Sequence, residues 1–487
     1  MGIRRAWDFL RSNILLVIII SALVLVPCFW HKRLENGDLP SHTYNAWLAH
    51  LIAQGQAPGL YIESRWNNIL VDLALEKLGA WLGWVAAERL LAVACVMLFF
   101  WGAFALICAA NRRPPWYLVP AVAMFTYGWT FYAGFMNFYL SLGFGFFAVA
   151  LIWRGDRADW LIAAVLAFLA LVSHPLGFLC LVGLAAYFRL AELLQGWSRW
   201  GLFISAFLLV FGFHQYAKRL HTAYWHTKDF LTMNGADQLV LFRGHYVKLA
   251  VVVLGFSLFS FAFGALREWK GSTDRWAFRA PLEIWAVLLF TAAMIPEVMW
   301  FSTDPMPFAL AISRLTSVTA VVGLCVLGSV KPRLWHPLVF AACAAVFFLW
   351  TYQDTRTLNG MEAQVEQMVD PLPYGRRVLE TINMASDSRL WFVNHMVDRA
   401  CIGKCFTYSN YEPPAGQFRI RVKHGSPIVT DSPVDSAKME AGYYVVRTED
   451  LPISEIYQCD ERDLSKLCIR DLAAGEENGR LGYRPPQ

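Results

Sequence analysis

The sequence predicts an all-α polytopic membrane domain followed by a small soluble α/β domain, and three observations lead to this prediction. The chain has 487 residues, of which 57% are hydrophobic and only 16% are charged. Residues 1–351 contain repeated apolar runs of about 17 to 23 residues, long enough as helices to cross a hydrocarbon core of roughly 30 Å. Residues 352–487 contain no such run. We therefore expect a transmembrane domain at 1–351 and a soluble domain at 352–487.

Eleven transmembrane helices are expected in the first domain. Their predicted ranges are 13–30, 87–110, 116–132, 137–153, 159–173, 176–193, 200–217, 247–266, 281–301, 308–328 and 334–351. If the N-terminal arginines lie inside, every short loop on that side carries at least two Lys or Arg, as the positive-inside rule expects. The sequence thus predicts a multi-pass plasma (inner) membrane protein of bacterial type, with a cytoplasmic N-terminus and an extracytoplasmic C-terminal domain. The net charge of +5 reflects this orientation, and no nucleic-acid partner is expected.

Segment 67–84 is apolar enough to suggest a further span. A span here would bury Asp72, Glu76 and Lys77 in lipid, at a cost of several kcal/mol. It would also move every later loop to the opposite side and so violate the charge rule. We therefore predict that this segment forms an interfacial helix.

The first outer loop carries an acid directly before another predicted interfacial helix. An apolar stripe at helical spacing marks the membrane-facing side of this helix: Tyr44, Trp47, Leu48, Leu51 and Ile52. The preceding Asp38 is interpreted either as a general base, with His42 one turn later orienting it or sharing its proton, or as a helix cap. The spacing does not decide between these two interpretations. The second acid of the loop, Glu35, is expected to be solvated.

Candidate anion-binding residues lie at the outer ends of later spans. Arg314 stands seven residues into the tenth predicted span, where a cation must pair, reach the interface or face a wet cavity. It is interpreted either as a phosphate ligand or as the structural partner of Glu297. A basic cluster follows the seventh span. It is interpreted either as a site for an anionic lipid headgroup or diphosphate, with Lys218 and Arg219 as donor-phosphate ligands, or as a solvated loop. Its residues are Lys218, Arg219, His221, His226 and Lys228. His174, before Pro175, marks an outer corner and is more typical of a turn than of a ligand.

The C-terminal domain is predicted to be small and α/β. Segment 361–382 has a helical pattern interrupted by two prolines, and 389–392, 418–422 and 443–447 are predicted strands. Four cysteines lie in this domain, and local pairing would join Cys401 to Cys405 and Cys459 to Cys468 as disulfides. Two other connectivities and a zinc site remain open, although the spacing is not a common zinc pattern.

At this point the order of parts resembles the GT-C class of integral-membrane glycosyltransferases, over residues 1 to about 351. The resemblance consists of a basic N-terminus, one span, an outer loop with an early acid that enters an interfacial helix, and short motifs at 66–68, 87–89, 132–138, 173–175 and Arg314. Such enzymes use polyprenyl-phosphate-linked sugars on the outer side of the membrane. The resemblance implies that Asp38 is the catalytic base and that Arg314 binds the donor's lipid phosphate. Many members carry a tighter acidic pair than Glu35 and Asp38, so a divalent metal cofactor is left open and is not supported.

The function expected from this resemblance is transfer of a sugar from a polyprenyl-phosphate donor to a glycan, lipid or protein acceptor. Two other classes remain. A lipid or glycan transporter or flippase would require paired charges in several spans and internal repeats. A non-catalytic membrane assembly protein would keep the spans and tolerate loss of Asp38. No nucleotide-binding motif, nucleophile elbow or HExxH motif is present.

Overall fold

The structure is a computed structural model, which describes residues 3–219, 223–224, 231–268, 278–300, 308–382, 388–460 and 462–479. Within these ranges the protein is mostly helical and contains three small sheets. Seven of the described helices are long and apolar enough to cross a membrane, which indicates a membrane protein. They lie at Arg11–Cys28, Trp84–Asn111, Met136–Arg154, Pro175–Leu193, Gly196–Ala217, His245–Leu266 and Trp335–Val369. Each coincides with one of the eleven predicted spans.

The first fourteen helices run from the N-terminus into the C-terminal part of the chain. They are α1 (Ile3–Leu25), α2 (Leu39–Ala53), α3 (Leu70–Leu82), α4 (Trp84–Asn111), α5 (Val119–Thr126), α6 (Trp129–Tyr132), α7 (Met136–Arg154), α8 (Asp159–Ser173), α9 (Pro175–Leu193), α10 (Gly196–Ala217), α11 (His245–Glu268), α12 (Arg279–Met294), α13 (Ala311–Leu327) and α14 (Trp335–Val369). Helix α3, with 13 residues, is about 20 Å long, which is shorter than a hydrocarbon core.

Two predicted spans differ from the helices observed, and two more, at 159–173 and 308–328, match helices that are shorter than the seven above. Segment 116–132 is broken between α5 and α6, because Gly128 is extended and the Gln238 side chain accepts a hydrogen bond from the Thr130 amide. The helix expected at 281–301 ends at Met294, and Val298–Met299 forms a strand instead. Helices α8 and α13 are apolar but have only 15 and 17 residues.

Helices α4 and α7 approach closely because small residues lie where they cross. A Cβ on Gly102 would come within 2.6 Å of the Gly143 carbonyl oxygen, and a Cβ on Gly143 would meet the Leu98 backbone at 2.9 Å. Small residues allow this close backbone packing in helical membrane proteins. Phe99 and Tyr139 stack beside the crossing, with ring centroids 4.3 Å apart.

The C-terminal part contains a four-stranded sheet and three short helices. Its elements are β5 (Arg376–Thr381), α15 (Met396–Cys401), β6 (Cys405–Thr407), α16 (Glu412–Ala415), β7 (Ile420–Val422), α17 (Pro433–Ala441), β8 (Ile453–Gln458) and β9 (Leu467–Leu472). The sheet order is β6-β5-β8-β9, in which β5 runs parallel to β6 and β8, and β9 is antiparallel to β8. Disulfides join Cys401 to Cys405 and Cys459 to Cys468.

The remaining strands tie distant segments together. Strand β1 (Leu60–Ile62), between α2 and α3, pairs antiparallel with β7. Strands β2 (Ala223–Tyr224), β3 (Val298–Met299) and β4 (Phe308–Ala309) form an antiparallel sheet in that order.

The secondary structure predicted for the C-terminal part is correct only in places. Segments 389–392 and 443–447 form no strand, whereas the strand expected at 418–422 is present as the shorter β7. Helix α14 continues through the predicted boundary at 351 and ends at Val369, before Pro371 and Pro373. The chain then enters β5, because proline lacks the amide hydrogen that a helix needs.

Helix α2 is buried, which contradicts the expected interfacial helix with one wet face. The C-terminal part covers the predicted apolar stripe as well as the polar side: the Thr407 amide donates to the hydroxyl of Tyr44, a stripe residue, at 2.9 Å. The Asn410 amide donates to Asn45 Oδ1 at 2.8 Å. The membrane part and the C-terminal part therefore share an interface built on α2.

A buried group of charges fixes this interface, and we name it the Arg399 cluster; it comprises Arg33, Glu35, Glu88, Glu362 and Arg399. The Arg399 guanidinium lies 3.0 Å from Glu362 and 3.3 Å from Glu88. Glu35 accepts a hydrogen bond from the Asn359 amide at 2.6 Å. The expectation that Glu35 is solvated was wrong, since it is 2% exposed and burial raises its pKa well above the ordinary value.

Candidate functional site

A cavity of about 560 Å³ lies where the segment between α1 and α4 meets the C-terminal part, and we name it the polar cavity. Five segments that are distant in sequence contribute to its wall. The lining residues are Asp38, His42, Arg65, Asn67, Asn68, Phe135, Asn137, Phe138, His174, Pro175, Leu176, Phe308, Ala309, Leu310, Arg314, Tyr411, Gln417 and Phe418. The cavity thus brings together four residues singled out in the sequence, which are Asp38, His42, His174 and Arg314.

The backbone of Asp38 is held by the corner between α6 and α7. The Gly37 amide donates to the Tyr132 carbonyl at 2.8 Å, and the Asp38 amide donates to the Ala133 carbonyl at 3.1 Å. Gly134 has a φ of +85°, and a Cβ at this position would lie 2.2 Å from the Asp38 nitrogen. Only glycine permits both the left-handed backbone and this close approach.

The Asp38 side chain makes no capping hydrogen bond to α2, although the residue occupies the N-cap position. Its Oδ1 instead accepts a 3.4 Å hydrogen bond from the Tyr411 hydroxyl and lies 3.5 Å from His395 Nε2. The side chain is 18% exposed. The capping interpretation therefore has no support in this geometry, and the carboxylate is turned toward the cavity.

His42 is held between acids. Its Nδ1 lies 3.0 Å from Asp72 Oδ1 and 3.9 Å from Glu412 Oε1. Burial alone would lower the pKa of His42, but the hydrogen bond to Asp72 and the charges of Asp72, Glu412 and Asp38 raise it to about 9. Because this pKa is above 7, His42 is a cation at neutral pH and not a proton acceptor.

Arg314 makes no ion pair with Glu297, so that alternative prediction is wrong for the described residues. Glu297 instead accepts hydrogen bonds from the Ile312 amide at 2.7 Å and the Ser313 hydroxyl at 2.7 Å, at the start of α13. The Arg314 guanidinium lies 4.1 Å from the centre of the Phe135 ring. Its one described hydrogen bond goes to the Ala309 carbonyl at 3.4 Å, and the buried Nε has no hydrogen-bond partner.

His174 contributes a neutral imidazole to the cavity. Its Nδ1 accepts a hydrogen bond from the Leu176 amide at 3.2 Å, which caps α9. Burial, followed by the charge of Arg314, lowers the pKa of His174 to about 3. Since Nδ1 is the acceptor, Nε2 carries the proton and is a hydrogen-bond donor.

The predicted basic cluster after α10 is not part of the described cavity wall. Lys218 and Arg219 lie just beyond the end of α10 and are exposed. His221, His226 and Lys228 lie outside the described residues.

A second cavity of about 630 Å³ adjoins the polar cavity, and we name it the apolar cavity. Its wall consists mainly of Leu, Val, Ala and Phe side chains from α9, α10, α12 and α13. Leu176 and Phe308 line both cavities. Leu179 and Leu209 in its wall are 63% and 77% exposed, so the apolar cavity opens on the outer face of the helices.

Several residues of the site were not found from the sequence. Tyr411, His395 and Glu412 follow Asp38 by more than 350 residues and carry no recognisable spacing relative to it. The local clue was the polar and aromatic run 407–412, which is unusual for a strand or a helix. Asp72 was noted only as a charge that opposes a membrane span.

Comparison with protein-family models, with curated proteins and with solved structures found no match for this chain. The site is therefore interpreted from its own geometry. Within the described ranges, no group of three or more His, Cys, Asp or Glu side chains is arranged to hold a metal ion.

Proposed function

We propose that this protein is an integral-membrane glycosyltransferase of the GT-C type. It moves a sugar from a polyprenyl-phosphate donor to a hydroxyl of a glycan, lipid or protein acceptor. The observation that carries the proposal is the position of Arg314, a partly buried cation that lines the same cavity as Asp38. Its Nε is buried without a hydrogen-bond partner, and no carboxylate lies within 4 Å of its guanidinium among the described residues. Removing a cation from water without a partner is costly, and an anionic ligand would relieve this cost.

The residues of the polar cavity fit the chemistry of such a transfer. An acceptor hydroxyl attacks the anomeric carbon of the donor sugar, and Asp38 takes the hydroxyl proton as general base. The bond between the anomeric carbon and the phosphate oxygen breaks, and the electron pair leaves with the polyprenyl phosphate. Arg314 binds the phosphate, with its planar guanidinium suited to two oxygens, and the Nε2 proton of His174 supplies a further donor.

The apolar cavity fits the isoprenoid part of the donor. It meets the polar cavity at Leu176 and Phe308, so a lipid chain in one places its phosphate in the other. Burial of the chain contributes about 25 cal/mol per Å² of apolar surface. Donor recognition thus combines a nonspecific apolar contact with a charged contact at the headgroup.

The proposed orientation keeps the eleven predicted spans, a cytoplasmic N-terminus and an extracytoplasmic C-terminal part. In this arrangement α2, α3 and the C-terminal part lie together on the outer side. The polar cavity then opens where a polyprenyl phosphate presents its sugar. The GT-C arrangement, the orientation and the plasma (inner) membrane remain parts of this proposal.

The test is the binding of undecaprenyl phosphate to the purified full-length protein in detergent. Arg314→Gln removes one charge-assisted contact, worth about 1.5 to 3 kcal/mol, so we expect binding to weaken by about 10- to 100-fold. The matched control is Lys218→Gln, which removes an exposed cation outside the cavity wall and should leave Kd unchanged. Equal Kd values for Arg314→Gln and the wild type would refute the assignment of Arg314.

A further inference from the structure

A third cavity, of about 240 Å³, lies on the other side of Asp38, and we name it the outer cavity. The residues of its wall come almost entirely from the C-terminal part: Asp38, Trp391, Asn394, His395, Tyr411, Pro433, Ser436, Ala437 and Glu440. Asp38 and Tyr411 line both the outer and the polar cavity. The Asp38 carboxylate therefore stands between two separate spaces.

One face of α17 forms a wall of the outer cavity. Pro433, Ser436, Ala437 and Glu440 have the spacing i, i+3, i+4 and i+7, which places them on the same side of a helix. Val434, on the same helix, is not in the wall and is 61% exposed. Helix α17 therefore provides Ala437 as a position that lines the outer cavity and Val434 as a control position outside its wall.

The polar groups of the outer cavity are arranged around Asp38. The Nδ1–H of His395 donates to Asp398 Oδ2 at 2.9 Å, and its Nε2 lies 3.5 Å from Asp38 Oδ1. Burial alone would lower the pKa of His395, but the hydrogen bond and charge of Asp398, with the charges of Asp38 and Glu380, raise it to about 10. His395 is therefore a positioning residue, a cation that lies beside the Asp38 carboxylate.

The remaining wall has the composition of a carbohydrate site. Trp391 offers a partly exposed aromatic ring, while Asn394 and Glu440 offer hydrogen-bonding groups that make no described side-chain hydrogen bond. An aromatic face with polar groups at its edge binds a sugar ring through its C–H face and its hydroxyls. The volume suits a single ring-sized group and is small for an extended peptide.

We propose that the outer cavity binds the acceptor of the transfer reaction, and that the bound group is a neutral sugar ring whose hydroxyl reaches Asp38. This inference rests on the proposed glycosyltransferase function. The donor then approaches Asp38 from the polar cavity and the acceptor from the outer cavity. An anionic acceptor is disfavoured, because Asp38 and Glu440 both present carboxyl groups to the same small space.

The test measures two kinds of binding on the full-length protein in detergent. Saturation-transfer NMR monitors methyl β-D-glucopyranoside, methyl β-D-galactopyranoside and methyl α-D-mannopyranoside, with glucuronate as the anionic comparison, and undecaprenyl phosphate binding is measured separately. Ala437→Trp fills the outer cavity, and Val434→Trp is the matched control. Glu440→Gln is a second variant that keeps the shape of the wall.

We expect at least one neutral glycoside to bind the wild type and Val434→Trp alike, and to bind Ala437→Trp and Glu440→Gln at least about tenfold more weakly. Undecaprenyl phosphate should bind all four proteins equally. Unchanged glycoside binding in Ala437→Trp and Glu440→Gln, absence of binding by all three neutral glycosides, or stronger binding of glucuronate would overturn the acceptor assignment.

The two proposals fail in different ways. If undecaprenyl phosphate binds the wild type and no variant changes glycoside binding, the acceptor cavity is refuted and the donor site stands. If glycosides bind in a manner that depends on Ala437 and undecaprenyl phosphate does not bind, sugar binding stands and the glycosyltransferase proposal is refuted.

Discussion

Arg399 offers the sharpest test of how the C-terminal part is held against the membrane part. Its guanidinium contacts Glu362 at 3.0 Å, Glu88 at 3.3 Å and the Leu34 carbonyl at 2.8 Å. Only 8% of this side chain is exposed. The Arg399→Met variant keeps much of the side-chain volume but removes the described ion pair of Glu88 and leaves Glu362 with Arg33 alone, at 3.7 Å. Breaking a buried pair in this way costs about 3 to 5 kcal/mol, so we expect the free energy of unfolding to fall by this amount at pH 7.5.

The measurement is chemical unfolding of the full-length protein in detergent, with Arg447→Met as the matched control. Arg447 also pairs with an acid, Asp435, but its side chain is 53% exposed, and exposed pairs contribute about 0 to 1 kcal/mol. The loss of stability in Arg399→Met should become smaller as the pH is lowered, because Glu35, whose pKa is already raised by burial, takes up a proton. The reasoning is refuted if the two variants lose equal stability.

Two further predictions concern the residues around Asp38. Gly134→Ala places a methyl group 2.2 Å from the Asp38 nitrogen at a φ of +85°, so we expect a loss of more than about 1 kcal/mol in stability and a parallel loss of transferase activity, whereas Gly183→Ala, where a Cβ meets nothing within 4 Å, should leave activity unchanged. The pKa of His42 is raised to about 9, so its pairing with Asp72 stabilises the fold fully below the unfolded pKa of about 6.5 and loses this effect as pH rises through 9. The free energy of unfolding should therefore fall by on the order of 3 kcal/mol across that window, and His42→Gln should show a flatter pH profile.

The membrane helices were the part of the fold that could be predicted from sequence. Hydropathy depends only on neighbouring residues, so runs such as 87–110 are read directly from composition. Segment 116–132 was mistaken for one span because its break at Gly128 depends on a contact with Gln238, more than 100 residues later. The local hydropathy pattern contains no information on a contact between residues so far apart in sequence.

In the candidate site, too, local sequence pattern indicated some residues, whereas contacts between distant segments could not be predicted. Arg314 was noticed because its depth in an apolar run is costly. That it forms no ion pair with Glu297 among the described residues became clear only from the structure, in which Glu297 bonds to the start of α13. The sequence was equally consistent with Asp38 as a helix cap and as a general base. The direction of its side chain in the structure distinguishes the two. Tyr411 and His395 were missed because they reach Asp38 only through the folding of the C-terminal part over α2.

The most direct test of the central claim is the transferase rate of Asp38→Asn. Membranes holding the full-length protein would receive undecaprenyl phosphate-linked glucose, mannose or galactose with the neutral glycosides above, and release of undecaprenyl phosphate would be followed beside thermal unfolding. Removal of a general base costs typically 10²- to 10⁴-fold, while Asp463→Asn, on an exposed loop, should retain the wild-type rate. The account predicts that Asp38→Asn loses at least about 100-fold in rate while the protein remains folded at the assay temperature, because the side chain caps no helix. An unchanged rate, or a loss of rate explained by unfolding at the assay temperature, would contradict it.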